Sequence, residues 1–208
     1  YLFKNMKKIK VGILGRGGLV GRCLETRLKK HPYFEHEEEL SRCAVLFSAL
    51  PSSIAKKKDI MYAEKGFKVF SLSDVHRFES DVPLILPEIN ENHWDLIPLQ
   101  QKKRGFNKGF IVAKPNCTLH SFLLPLFPLH KRFQLKKLMV TTLQSESGAG
   151  KHFSLEKNVL PYIEGEEEKA RNEPFKILGK ITETGIQNAP FFSMSIHCNR
   201  VPVSVGHL

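Results

Sequence analysis

The chain has 208 residues, 41% hydrophobic and 25% charged, enough to bury a core as one large domain or two small ones. Its longest apolar run, 121–129, carries Pro125 and Pro128 and is too short to cross a bilayer, so no membrane partner is expected. The formal net charge of +11 is scattered over clusters such as Lys29-Lys30, Lys56-Lys57-Lys58 and Lys102-Lys103-Arg104 without interleaved aromatics, which fits solvated helix faces better than a nucleic-acid surface.

The elements follow in chain order. Residues 9–14 form a short apolar run ending in glycine, and 19–28 carry apolar residues at helical spacing, which predicts strand, Gly-rich turn and helix. A second strand is expected at 44–50, a helix at 52–64, a third strand at 67–72, a short one at 84–86 and another at 110–113. Strands alternating with helices predict a parallel sheet with right-handed crossovers. Beyond Pro115 the character changes: a strand at 138–143, a loop at 145–150, a mostly helical stretch at 151–180 and an alternating strand at 191–205. The reading is therefore α/β, with a Rossmann-like domain over 6–115 and an α+β domain over 116–208.

Met6-Lys7-Lys8 leads directly into the first strand with no cleavage site, so a cytoplasmic location is expected. The four cysteines (Cys23, Cys43, Cys117, Cys198) show no C-x-x-C spacing, and neither a metal site nor a disulfide framework is expected. His197-Cys198 lies in the alternating strand and reads as core.

Two motifs carry chemistry. Gly15-Arg16-Gly17-Gly18-Leu19-Val20-Gly21 joins the first strand to the first helix, where glycines let a pyrophosphate approach the backbone and the helix end supplies N–H donors. The acidic residue that would bind a ribose hydroxyl about twenty positions on has candidates only by position, in 37–39. Pro115-Asn116-Cys117-Thr118 places a cysteine between a strand and a helix, at a helix N-terminus that favours the nucleophilic thiolate. A lone cysteine is also commonly a small buried hydrophobe, and that alternative stands beside the first. Far downstream, Arg200 and His207 offer a cation and a base. Seven residues apart, they would need a bulge or turn near Gly206 to reach one site. Cys117 and His207 are expected to share a pocket opening toward the Gly-rich turn.

With these in hand, the chain resembles the aspartate-β-semialdehyde dehydrogenases, above all their archaeal and fungal-like branch. The matching segments include Val45-Leu-Phe-Ser-Ala-Leu-Pro-Ser52, Pro115-Asn-Cys-Thr118, Thr141-Thr-Leu-Gln-Ser-Glu-Ser-Gly-Ala-Gly150 and Cys198-Asn-Arg-Val-Pro-Val203. The resemblance implies a glyceraldehyde-3-phosphate-dehydrogenase-like pair of domains, Rossmann and catalytic/dimerising. It also implies NADP-linked interconversion of aspartyl phosphate and aspartate semialdehyde (NAD possible), serving lysine, threonine and methionine biosynthesis. By position, Cys117 is the nucleophile, His207 the acid/base and Gln144 the orienting residue. Arg200 clamps the substrate carboxylate. Glu173 and Lys176 contact the amino and phosphate groups, and Arg77 and Asn116 contact phosphate. Gly15, Gly17, Gly18, Leu19, Val20, Ser48, Ala49, Leu50, Pro51, Ser147 and Gly148 line the cofactor. Arg77 and Lys176 read alternatively as surface cations and Glu173 as a helix-face charge. A homo-oligomer, dimer or tetramer, is expected.

Three departures from the family qualify this. The 33–43 stretch lacks room for the family's second strand and adenosine-phosphate loop. Leu72 and Asp74 stand where the family has Asn and Ser, so Asp74 brings a negative charge near the phosphate. The sequence stops at Leu208, before the remaining sheet strands and terminal helix that the family has, and as given it is expected to be weakly active or inactive. The alternatives are a related acyl-phosphate or CoA-thioester reductase, or a non-catalytic remnant.

Overall fold

The computed structural model describes residues 8–150, 153–189 and 192–204. They divide into two compact units. The first comprises the chain up to Leu84, Trp94–Lys114 and Glu183–Gly185; the second comprises Ile85–His93, Pro115–Thr182 and the residues from Ile186 on.

The first unit starts with β1 (Ile9–Leu14), α1 (Leu19–Leu28), β2 (Phe34–His36), β3 (Val45–Ser48), α2 (Ser52–Glu64) and β4 (Lys68–Ser71). The chain then passes through α3 (Pro87–Asn90, in the second unit) and returns as α4 (Ile97–Arg104) and β5 (Phe110–Ala113). The five strands form one parallel sheet in the order β2-β1-β3-β4-β5. Val11, Leu46, Val69 and Ile111 are fully buried at its centre, as continuous apolar runs in a parallel sheet require. On one side Val11, Ile13 and Leu28 pack with Leu24 and Phe34; Leu14, Cys43 and Leu46 form a second cluster with Tyr62 and Phe67.

Two expectations are corrected in this unit. A second strand does exist in the shortened stretch: Phe34–His36 pairs with β1 in the register Ile9↔Phe34 to Val11↔His36. Three residues suffice because Ile9 N–H donates to Tyr33 O and Glu37 N–H to Val11 O, fixing both ends. The strand expected at 84–86 is only an isolated bridge, Leu84↔Ala113. Pro83 and Pro87 bracket it and have no N–H to extend a ladder.

The second unit contains α5 (Cys117–Phe133), β6 (Lys137–Gln144), α6 (Glu166–Ile177), β7 (Lys180–Thr182) and β9 (Ser193–Arg200). β7 pairs with the short β8 (Gly185–Gln187). β6 and β9 run parallel over eight residues, from Lys137↔Ser193 to Gln144↔Arg200. One face of this ribbon packs on α6 through Ala170, Ile196 and Cys198, with Phe122, Val140 and Ile163 around them. The opposite face is open, and Met139 and Leu143 are 83% and 51% exposed on it.

The helix expected over 151–180 is confined to Glu166–Ile177. Glu156, Lys157 and Gly165 take positive φ, and Pro161 withholds an N–H, so the stretch ahead of Glu166 cannot continue a helix. Of His197-Cys198 only Cys198 is core; His197 is exposed on the open face. No described helix is long and apolar enough to cross a membrane.

Candidate functional site

The second unit gathers most of the chemically interesting side chains around the start of α5. Asn116 caps the helix, its Oδ1 accepting from Thr118 N–H at 2.8 Å. Its Nδ2 donates to Glu166 Oε2 at 2.9 Å, and its backbone N–H donates to Glu173 Oε2 at 2.6 Å. Three bonds to a residue only 4% exposed fix the chain direction one step before Cys117. Cys117 is the first helical residue and is exposed, which removes the reading of it as a buried hydrophobe. The other cysteine of this unit is the reverse case: burial pushes the Cys198 thiol up, against a bond from Thr142 that lowers it.

Gln144, at the end of β6, donates from Nε2 to Thr118 Oγ1 at 3.2 Å. It is the register partner of Arg200, at the end of β9. Arg200 is 3% exposed, donates to Ser145 O at 2.6 Å and lies 5.5 Å from the Phe153 ring centroid. Among the described residues no carboxylate pairs with it. A buried guanidinium in that condition suits an incoming anion, and a fork of donors matches a carboxylate. Cys117, Gln144 and Arg200 are thus linked through Thr118 and the β6–β9 ladder.

Glu173 and Lys176 project from α6 and are 0% and 2% exposed, so neither is a surface charge. Ser147 and Gly148 lie in the turn after β6, where Ser147 N–H donates to Ser204 O. His207 and Gly206, with the bulge and the shared pocket expected there, lie outside the described residues.

Sequence reasoning missed several residues of this unit. Glu166 and Glu167 open α6, complementing its dipole while accepting from Asn116 and from Cys198 N–H. The sequence signal was Gly165 followed by three glutamates, an acidic first turn. His93 is 1% exposed. Its Nε2 donates to Gly179 O at 3.1 Å, and Asn90 Nδ2 donates to Nδ1 at 3.0 Å. Burial pushes the pKa of His93 down and the Lys176 charge adds to this, against the Gly179 bond, so the ring is neutral. No sequence pattern pointed to it.

In the first unit the Gly-rich turn has the geometry an anion needs. Gly15 has φ +78°, and a Cβ there would lie 2.5 Å from Ala49 O. At Gly21 a Cβ would lie 2.4 Å from Gly15 O, so only glycine lets α1 sit this close to the turn. Gly17 and Gly18 are exposed, a Cβ on Gly17 would meet nothing, and α1 has no side-chain cap. The open N–H groups of that end fit a dinucleotide pyrophosphate. Leu19 and Val20 are exposed beside it. Ser48, Ala49, Leu50 and Pro51 form the turn from β3 to α2, held by Ala49 N–H on Leu14 O. Asp74 accepts from Ser52 Oγ at 2.6 Å.

Arg77 also belongs to the first unit, 7% exposed and so no surface cation. It follows His76, part of a buried charge network the sequence did not reveal. His76 Nδ1 is 2.9 Å from Glu79 Oε2, and its Nε2 is 3.5 Å from Asp59 Oδ2, an ion-pair distance without hydrogen-bond geometry. Arg104 grips Asp81 with two bonds and reaches Glu79 at 2.8 Å. Burial opposes charge on His76, but the two carboxylates outweigh it and raise its pKa. Burial likewise opposes charge on Glu79, and the bonds from His76 and Arg104 still bring it down to about 2.

Comparison with known proteins places both units. Residues 35–97 match the model of the semialdehyde dehydrogenase NAD binding domain, and 126–208 match that of the semialdehyde dehydrogenase dimerisation domain. The aspartate-semialdehyde dehydrogenase of Methanothermobacter thermautotrophicus is 35% identical over 242 residues, covering 96% of this chain and 69% of that protein. A crystal structure of the Candida albicans aspartate-semialdehyde dehydrogenase with NADP superposes with a TM-score of 0.82 at 31% identity, over 97% of this chain and 70% of that one. The NADP malonyl-CoA reductase of Metallosphaera sedula is 39% identical over 141 residues, 66% of this chain and 39% of that protein.

Proposed function

Because the chain belongs to the aspartate-semialdehyde dehydrogenase family, we propose that it interconverts aspartate semialdehyde and aspartyl phosphate through an acyl thioester on Cys117. The observation that carries this reading is the exposed Cys117 at the head of α5, tied through Thr118 and Gln144 to the buried Arg200, which pairs with no carboxylate among the described residues.

The roles follow from the chemistry. Arg200 takes the substrate carboxylate in a forked contact, which fixes the aldehyde carbon within reach of the sulfur. Cys117 Sγ bonds to that carbon, and the carbonyl oxygen takes up a proton, for which His207 is the proposed donor. Gln144 orients the adduct. When bound, the nicotinamide dinucleotide would supply the hydride acceptor that takes the adduct to a thioester, the adduct's hydroxyl proton returning to the same base. The sulfur then leaves as a phosphate oxygen attacks the acyl carbon, releasing aspartyl phosphate and restoring the thiolate. Glu173, Lys176, Arg77 and Asn116 are proposed for the substrate's amino and phosphate groups, although Asn116 also spends its side chain on the helix cap and Glu166. Gly15, Gly17 to Val20, Ser48 to Pro51, and Ser147 with Gly148 are the proposed cofactor contacts. The chain would serve the synthesis of lysine, threonine and methionine. The domain assignments 6–115 and 116–208 belong to this proposal. So does a homo-oligomer, in which a second copy covers Met139 and Leu143 on the open face of the β6–β9 ribbon.

The likeness to malonyl-CoA reductase favours one competing reading, a CoA-thioester reductase. Stoichiometric single-turnover assays, followed by the nicotinamide absorbance, separate the two. Aspartate semialdehyde with phosphate and oxidised dinucleotide is expected to give a burst, and malonyl-CoA with reduced dinucleotide none. The opposite pattern would overturn the proposal.

A further inference from the structure

Three consecutive carboxylates follow β2, and each is tied to its own cation. Glu37 pairs with Lys10 at 2.6 Å, Glu38 with Arg16 at 2.5 Å and Glu39 with Arg42 at 2.7 Å. Beside them, at the C-terminal ends of β1 and β2, lies a cavity of about 300 Å³ lined by Leu14, Arg16, His36, Glu37, Glu38 and Leu40. It adjoins the Gly-rich turn, to which Arg16 belongs. In a dinucleotide-binding sheet this is where the adenosine ribose arrives, and where an acidic residue takes the 2′-hydroxyl or an arginine takes a 2′-phosphate. This chain has one of each, bound to one another.

We propose that Glu38 sets the balance between the two dinucleotides by holding Arg16, so that a 2′-phosphate must displace a carboxylate to win the guanidinium. The inference rests on the dinucleotide reading of the first unit. Among the described residues Arg16 is the only lysine or arginine lining the cavity; Lys10 pairs with Glu37 and Arg42 with Glu39. The partners hold each other charged, Arg16 through its bond to Glu38 and Glu38 through its bond to Arg16. Both are exposed, so the pair can part without strain. NADP then gains Arg16 but loses the Arg16–Glu38 pair and meets two carboxylates, Glu37 and Glu38, whereas NAD meets Glu38 as an acceptor for its 2′-hydroxyl. The two bind with similar affinity, within about tenfold.

Calorimetric titration of the full chain and two variants with NAD⁺ and NADP⁺ tests this, with binding rather than turnover as the readout. Glu38→Gln frees Arg16 and is expected to tighten NADP⁺ about two- to fivefold, the worth of one exposed ion pair, with NAD⁺ unimproved. Arg16→Gln is expected to weaken NADP⁺ about tenfold and to leave NAD⁺ within about twofold. Equal shifts for both dinucleotides, or an unchanged NADP⁺ affinity in both variants, would overturn the assignment of Glu38 and Arg16 alone. No binding of either dinucleotide to the parent chain would overturn the dinucleotide reading as well.

Discussion

Replacing Asn116 by alanine removes two interactions whose worth can be worked out. The first is the cap bond to Thr118 N–H at 2.8 Å, about 1 kcal/mol for an N-cap. The second is the Nδ2 bond to Glu166 Oε2 at 2.9 Å, about 1.5–3 kcal/mol for a bond to a charged group. The lower end applies, because Glu166 keeps Lys169 at 3.3 Å. The backbone bond to Glu173 survives the substitution. The loss should be about 2–3 kcal/mol, a fall of about 4–12 °C in melting temperature. Asn116→Ser retains a cap acceptor but cannot reach Glu166, and should recover about 1 kcal/mol. Calorimetry of the three proteins decides. An alanine variant within about 0.5 kcal/mol of the parent, or a serine variant no better than alanine, would refute the idea that this residue locks the start of α5.

Gly21→Ala brings a Cβ to 2.4 Å from Gly15 O and 2.7 Å from Arg16 Cα, so α1 must lift from the turn; dinucleotide affinity should drop at least about tenfold in a fluorescence titration, and unchanged affinity would contradict the close-packing argument. The raised pKa of His76 implies stability that is complete below about pH 6.5 and is lost as pH rises through the higher folded value. Glu79, held at about 2, adds stability present above about pH 4.5 and lost as pH falls toward 2. Denaturant midpoints should therefore be highest between those limits, and His76→Gln should abolish the fall on the alkaline side; an identical alkaline slope in the variant would show that the network is not its source.

Much of the fold was legible because the local signals agree. The first strand, its glycine turn and α1 fall where 9–28 placed them, since hydrophobic period and turn chemistry coincide there, and α2 covers the expected 52–64. β2 was hidden because three residues carry no period, and its existence depends on β1 beside it. The overlong helix at 151–180 came from reading composition; the positive φ of Glu156 and Lys157 is a tertiary outcome that no residue type announces. Cys117 was found through the proline that stops the strand and the apolar helix that follows it in sequence; the cap at Asn116 came only with the structure. Asp59, His76 and Arg104 escaped because their partnership joins positions far apart along the chain, and a buried charge network has no spacing to read.

The most direct test of covalent chemistry at Cys117 is the mass of the intact chain after incubation with aspartate semialdehyde and oxidised dinucleotide, without phosphate. An acyl adduct mapped to Cys117, absent from Cys117→Ser and discharged by added phosphate, is the predicted result. An unmodified chain, or an adduct on Cys23 instead, would contradict the account.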